Sequence, residues 1–160
     1  MPTYPAEMYP RVPRTGTEED MATVEKSVKE IVHRYTDEGY NDANTDAIAD
    51  CVAEDVIVHG LPGVDGSLQG RDAYLEWAEE GMKGVPDLHL ETEDLLAEEN
   101  KAAVRWTVTG TQEGTVGELP ATGESFEYEA FAIVRIEDDV IVEKWYRPDE
   151  LGMMQQLGLV

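Results

Sequence analysis

The chain of 160 residues is long enough for one domain with a substantial core, and 41% of its residues are apolar. Thirty-five Asp and Glu face twelve Lys and Arg, which gives a formal net charge of −23 spread along the whole chain. Because binding to a phosphate backbone needs clustered cations, this charge excludes nucleic acid as a partner. Molar salt screens such self-repulsion, so we interpret the even acidity as that of a halophilic protein.

The sequence also bears on the compartment. No apolar run approaches the ~20 residues of a membrane span, and residues 1–20 lack the apolar segment of a secretory signal. Cys51 is the only cysteine, so no intrachain disulfide can form and a reducing interior is the default. We therefore expect a soluble, cytoplasmic protein without a membrane partner.

Helical periodicity dominates the first half of the chain. Residues 1–16 carry four Pro and no periodicity, which predicts a poorly ordered arm before a single domain over residues 17–160. Thr17, followed by Asp20, predicts a capping box for a first helix that ends at Gly39. Asn44 caps a short second helix, and a third follows Gly70.

Five segments are predicted to be strands, the first of which lies between the second and third helices. They are Val56–His59, Leu88–Glu98, Lys101–Thr111, Glu124–Ile136 and Val140–Arg147. The last four are long and antiparallel, and a final helix, Asp149–Leu157, follows Pro148. Helices first and hairpins second predict an α+β fold, in which a curved antiparallel sheet wraps around helices into a cone with an internal cavity.

Six short motifs occur in order along the domain. They are Asp55–Gly60, Gly70–Tyr74, Pro86–His89, Thr109–Gly114, Pro120–Gly123 and Pro148–Gly158. Together they resemble the motifs of the SnoaL-like polyketide (ester) cyclases. The resemblance implies a nuclear-transport-factor-like cone that assembles as a dimer or larger oligomer. For the founding members it also implies an intramolecular aldol ring closure of a polyketide ester, without metal or cofactor.

The resemblance also implies positions for the chemistry. In the founding cyclases an Asp lies three residues before the Asp of the Pro-Asp helix start, which here is the position of Tyr146. Their assisting His falls here at Ala132, counted from Arg135. A Tyr titrates near pH ~10 and is a hydrogen-bond donor rather than a base at neutral pH. We expect Tyr146 and Ala132 to line the pocket and any activity to differ from the founding reaction.

Two further residues are candidates for catalysis. His59 ends a strand beside a Gly-rich turn, and histidine is the residue type best suited to general-base work near neutral pH; the alternative is a hydrogen bond to a nearby loop. Asp149 is the carboxylate of the ending motif; the alternative is a cap on the last helix, whose first turn stabilises an anion.

The remaining candidates are pocket residues. Arg105 lies in an otherwise apolar and Thr-rich strand, where it could bind a ligand oxygen or pair across strands with Glu127 or Glu129. The aromatic side chains of Trp77 and Tyr128 are candidates for the wall of the pocket, and the amide of Gln112 is a candidate polar group in it. The three His lack metal-ligand spacing, so no metal site is predicted.

Three functions remain open from the sequence. The first is a cofactor-free cyclase or isomerase acting on an apolar carbonyl or polyketide-like compound. The second is a non-catalytic protein that binds a small ligand on the same fold. The third is an assembly domain that only pairs with itself through the outer face of the long strands, the face on which we expect a homodimer.

Overall fold

The computed structural model describes residues 16–160, so the arm predicted over residues 1–16 lies outside the described residues except for Gly16. Residues 16–160 form the α-helices α1 (Glu18–Arg34), α2 (Thr45–Cys51), α3 (Arg71–Gly84) and α4 (Glu150–Gln156). They also form the strands β1 (Val52–His59), β2 (Ser67–Gln69), β3 (His89–Glu98), β4 (Lys101–Thr111), β5 (Ser125–Glu137) and β6 (Val140–Pro148).

The strands form one curved, unclosed sheet in the order β2-β1-β6-β5-β4-β3. The predicted α+β fold is therefore confirmed. The pairing is not antiparallel throughout, because β1 runs parallel to β6. Strand β2 was not predicted, since three residues are too few to show a period of two.

Helix α1 begins with the predicted capping box. The Thr17 side chain accepts a hydrogen bond from the backbone N–H of Asp20 at 3.1 Å, and the Thr17 N–H donates to the Asp20 carboxylate at 3.4 Å. The predicted end at Gly39 is wrong, because α1 ends at Arg34. Gly39 serves close packing instead, since a Cβ there would lie 2.7 Å from the side chain of Ile48 in α2.

A seven-residue π-helix, Tyr35–Asn41, continues directly from α1. Its hydrogen bonds join residues five apart, and such segments often mark functional sites. Tyr35 and Tyr40 are five apart, and their rings meet edge to face with centroids 5.3 Å apart. Both side chains are buried, so the π-helix directs two phenols toward the sheet.

The two faces of the sheet differ in what they contact. The inner face packs on the helices with side chains such as Val104, Trp106 and Val58, each at most 2% exposed. The outer face carries apolar side chains in the open, including Phe131 at 53% and Ile133 at 47%. Within residues 16–160, no helix is long and apolar enough to cross a membrane.

Candidate functional site

The inner face of β6 carries a lysine. Lys144 is 4% exposed and pairs with Val58 of β1 and Val134 of β5, both of which are buried. Its Nζ donates a hydrogen bond of 2.8 Å to the hydroxyl oxygen of Tyr35. Within residues 16–160, no carboxylate forms a salt bridge with this amine. The amine is therefore held by a neutral oxygen rather than by a counter-ion.

A chain of phenols extends from this amine. The Tyr35 hydroxyl is hydrogen-bonded to that of Tyr74 in α3, and the Tyr74 hydroxyl lies 2.7 Å from that of Tyr40. All three are buried. Lys144, Tyr35, Tyr40, Tyr74 and Tyr146 form what we call the Lys–Tyr cluster.

Aromatic rings surround the amine. Its Nζ lies 4.6 Å from the ring centroid of Tyr146, 5.1 Å from Tyr35, 5.6 Å from Trp106 and 5.8 Å from Tyr74. Trp106 is itself positioned by its indole N–H, which donates at 3.3 Å to the hydroxyl of the fully buried Thr36. The amine thus lies in an aromatic box formed by helices on one side and the sheet on the other.

Burial decides the protonation states in the Lys–Tyr cluster. Desolvation lowers the pKa of Lys144 from its ordinary 10.5 to about 7. The ring faces act in the opposite direction, because they attract a cation, but no carboxylate of the described residues pairs with it. Burial raises the pKa of Tyr35, Tyr74 and Tyr146 well above 10, so these phenols stay neutral at physiological pH. The site combines an amine that titrates near neutrality with phenols that can donate hydrogen bonds.

Known proteins resemble this chain in sequence and in fold. The family model for SnoaL-like polyketide cyclases matches residues 30–157. The chain is 30% identical over 134 residues to the aklanonic acid methyl ester cyclase DauD of Streptomyces sp. strain C5, across 81% of this chain and 80% of DauD.

The chain belongs to the SnoaL-like polyketide cyclase family.

Solved structures agree with this assignment. TsrD from Streptomyces laurentii superposes with a TM-score of 0.74 at 27% identity, over 84% of this chain and 97% of TsrD. A protein from Jannaschia sp. CCS1 shares the fold with a TM-score of 0.78 at 19% identity, over 92% and 99% of the two chains.

Four of the residues predicted for the pocket of this SnoaL-like protein lie at or beside the Lys–Tyr cluster. Tyr146 is 9% exposed and pairs across strands with Ala132, which is 4% exposed. Tyr128 of β5 lies near Tyr146, whose pKa is raised by burial and by this neighbouring phenol. Trp77 of α3 stacks on Tyr74 with ring centroids 6.1 Å apart, and its indole N–H donates to the carbonyl of Pro62 at 3.2 Å. Their roles toward a ligand remain predictions.

His59 lies on the opposite face of the sheet from Lys144. Its Nε2 is 2.8 Å from a carboxylate oxygen of Glu143, and its ring stacks on Trp145 at 5.5 Å. One hydrogen bond with His59 and one from Arg135 lower the pKa of Glu143. His59 therefore forms a hydrogen-bonded pair with Glu143 on the outer face and does not contact the Lys–Tyr cluster.

Arg105 also lies on the outer face. Its guanidinium contacts Asp94 of β3 at 2.7 Å and Glu129 of β5 at 2.6 Å, the cross-strand arrangement that the sequence offered as the alternative. These hydrogen bonds raise the pKa of the guanidinium. With both neighbouring carboxylates engaged, Arg105 is not directed at an interior ligand.

Asp149 caps α4, accepting a hydrogen bond from the N–H of Gly152 at 3.0 Å. It also lies at the rim of a surface depression of about 550 Å³, with Tyr128, Pro148 and Phe131 in the same wall. Of the predicted candidates, Asp149 and Tyr128 are the two that line this depression.

Gln112 follows β4 at the end remote from the Lys–Tyr cluster. It lies six positions after Trp106, which corresponds to roughly 20 Å along an extended strand. Its side chain is 1% exposed; the oxygen accepts from Thr122 at 3.0 Å, and Nε2 has no partner among the described residues. Gln112 therefore does not join the other candidates.

Lys144 and the phenols Tyr35, Tyr40 and Tyr74 were not predicted from the sequence. One signal was available: Lys144 lies two residues before Tyr146, so both must face the same side of β6. The phenols Tyr35, Tyr40 and Tyr74 had no such signal, because their convergence depends on the π-helix and on the packing of α3. Among residues 16–160, no cluster of His, Cys, Asp and Glu could hold a metal ion.

Replacing Lys144 with Met is predicted to stabilise the fold by about 2–4 kcal/mol near pH 7. The side-chain volume is similar, and Met carries no charge that burial disfavours. Between pH 7 and pH 10.5 the unfolded wild type binds the Lys144 proton and the folded form does not, so wild-type stability rises with pH and the difference shrinks.

Denaturant unfolding at about pH 7 and about pH 9.5 measures this difference, with the exposed Lys101→Met as the matched control. A Lys144→Met variant less stable than wild type at neutral pH contradicts the prediction, as does a difference that does not change with pH.

Proposed function

We propose that this chain is a cofactor-free enzyme of the cyclase or isomerase type. Its substrate is an apolar carbonyl compound of polyketide-like character, held against the Lys–Tyr cluster. The observation that carries the proposal is the chain of neutral phenols beside a desolvated amine, walled by aromatic rings. Neutral phenols can donate hydrogen bonds to a carbonyl oxygen and stabilise the negative charge that develops on it.

The relatives support the substrate class. DauD is a cyclase of aklanonic acid methyl ester, and 30% identity over most of both chains supports a carbonyl-bearing ester as the kind of molecule to test. In this proposal the ligand contacts the inner face of the sheet, at Tyr146, Tyr128 and Ala132. Trp77 stacks on the ring of Tyr74 and so fixes the position of that phenol.

Incubation of the purified protein with aklanonic acid methyl ester tests the proposal directly. The expected product has the mass of the substrate and a different retention time in liquid chromatography with mass detection, because an aldol ring closure is an isomerisation. Absence of any isomer over the uncatalysed background counts against catalysis of this ring closure.

A second function, ligand binding without catalysis, is favoured by one observation. Tyr146 and Ala132 stand where the founding cyclases carry Asp and His, so that pair of groups cannot do the chemistry here. Native mass spectrometry of untreated protein decides for binding if it finds a co-purified apolar ligand that the protein releases unchanged.

We further propose that the protein is a homodimer formed through the outer face of the sheet. A row of cross-strand neighbours on β3, β4, β5 and β6 is apolar: Leu96, Ala103, Ile133 and Trp145. Leu96 is 68% exposed and Ile133 47%, and Phe131 lies beside them at 53%. Contiguous exposed apolar side chains on a strongly charged protein favour a second copy as the cover.

We also propose a cytoplasm of high salt as the setting. The support is the net charge of −23, together with the short range of electrostatic repulsion in molar salt. Neither membrane nor nucleic acid is a partner in this proposal, because Arg105 and Arg135 of the outer face are engaged with carboxylates.

Replacing Tyr146 with Phe is predicted to weaken ligand binding by about 0.5–1.5 kcal/mol, the value of one hydrogen bond, without unfolding the protein. Fluorescence titration with the methyl ester measures this loss. Thr109→Val, which removes a hydroxyl from the outer face of β4, is the control and should bind as wild type. Equal affinity of Tyr146→Phe and wild type argues against a ligand contact at Tyr146.

Replacing Ile133 with Glu is predicted to convert the dimer to a monomer in sedimentation at micromolar concentration. Ile133 is 47% exposed, so the change adds a charge to the outer face and spares the core. Val24→Glu, 46% exposed on α1, is the matched control and should stay dimeric. A wild type that sediments as a monomer in high salt contradicts the dimer.

The melting temperature is predicted to rise steadily from about 0.1 M to about 2 M potassium chloride, because salt screens the repulsion among surplus carboxylates. Differential scanning calorimetry measures the trend. A melting temperature that stays flat or falls over this range contradicts the halophilic interpretation.

A further inference from the structure

We propose that the unprotonated amine of Lys144 is the general base of this site. It takes a proton from the carbon beside a ketone of the bound substrate and later returns that proton to the new alkoxide. The inference rests on the proposed function and assigns the proton transfer, which the phenols cannot perform, to one named atom.

The first argument is the set of partners that the amine has. An ammonium group has three N–H donors, and the described residues offer it one oxygen acceptor, the hydroxyl of Tyr35. A neutral amine has a lone pair, to which the Tyr35 hydroxyl can donate instead. The same 2.8 Å contact therefore serves both protonation states, with Tyr35 as acceptor in one and donor in the other.

The second argument is energetic. A buried ammonium without a counter-ion is among the more costly groups that a core can contain. Methionine would fill the same space at no such cost, so Lys144 offers the fold no packing advantage. Burial lowers the pKa of Lys144 to about 7, the value at which an amine can both accept and release a proton under physiological conditions.

The third argument concerns position. Tyr146 stands where the resemblance places the acid/base Asp of the founding cyclases, and Lys144 lies two residues before it on the same buried face of β6. The Tyr146 ring lies 4.6 Å from the amine. A basic nitrogen therefore lies next to the position at which the founding cyclases carry their acid/base group.

The proton and electron balance closes without any further reagent. The C–H bond beside the ketone breaks, its proton forms an N–H bond on Lys144, and its electron pair leaves an enolate. The enolate carbon forms a C–C bond to a second carbonyl carbon of the same molecule, whose oxygen becomes an alkoxide. The Lys144 ammonium then protonates that alkoxide, so the product is an isomer of the substrate and the amine is regenerated.

The test follows hydrogen exchange as well as ring closure. In D₂O, wild type should accelerate deuterium incorporation beside the carbonyl of 1-tetralone, an apolar ketone that cannot cyclise, and of aklanonic acid methyl ester. The rate should rise with pH and level off above about pH 7, as the neutral amine accumulates. NMR spectroscopy measures the exchange.

Variants assign the effect to the amine. Lys144→Met and Lys144→Arg should each lose about 100-fold or more of the exchange rate, because Met has no basic group and Arg stays protonated. Lys101→Met should exchange as wild type, and circular dichroism verifies that all variants fold. Loss in Lys144→Met with full activity in Lys144→Arg would indicate a need for charge and overturn the proposal.

Other outcomes also overturn it. If the exchange rates of both Lys144 variants lie within about threefold of the wild-type rate, the amine does not transfer the proton. Borohydride reduction that links either ketone covalently to Lys144 assigns the amine as a nucleophile instead. If the wild type accelerates deuterium exchange in neither ketone between about pH 6 and about pH 9, the site contains no general base for these ketones.

The two proposals fail separately. Exchange that depends on Lys144 without ring closure refutes the cyclase function and supports the base. Ring closure that is insensitive to Lys144 supports the function and refutes the base.

Discussion

The interior of this domain has to accommodate an amine that has no counter-ion among the described residues, and the surrounding elements are arranged to meet that constraint. The π-helix brings Tyr35 to within 2.8 Å of Lys144, α3 adds Tyr74, and β4 contributes Trp106 as a wall. If the π-helix were to continue as α-helix, Tyr35 and Tyr40 would lie about 500° apart around the axis and diverge by about 140°. The hydrogen-bonded chain through Tyr74 would then lose one end. The contacts of the amine therefore depend both on the π-helix geometry and on the strand register that places Lys144 and Trp106 on the inner face.

Much of the fold follows from local rules. Thr17 and Asn44 cap the first two helices as the sequence indicates, because a side-chain oxygen at the N-cap satisfies a free backbone N–H without help from distant residues. The long strands follow from apolar side chains at every second position, as in β4. The π-helix does not follow, because Gly39 is typical of a helix end, and only the approach of Ile48 shows that it instead serves close packing. The parallel pairing of β1 with β6 likewise depends on contacts far apart in the chain.

Some residues of the candidate site could likewise be placed from local sequence, and others could not. Strand alternation places Tyr146, Ala132 and Lys144 on one face, and it requires His59 to face away once Val58 is buried. For Arg105 the sequence left a cross-strand pair and a ligand contact open, because either face of β4 could have been the inner one. Lys144 was overlooked for a physical reason: ammonium groups are seldom buried, so a lysine in a strand is ordinarily expected to face solvent.

An amine with neutral hydroxyl partners differs in kind from the carboxylate and imidazole pair implied for the founding cyclases. The resemblance implies that an Asp transfers the proton in those enzymes, aided by a His. One amine with a pKa of about 7 can occupy both states, and the Tyr35 hydroxyl can follow it by exchanging its donor and acceptor roles. The neighbouring phenols stay protonated because burial raises their pKa, so they cannot compete with Lys144 for the substrate proton. Burial therefore acts in opposite directions on the two residue types, and that opposition separates the proton acceptor from the hydrogen-bond donors.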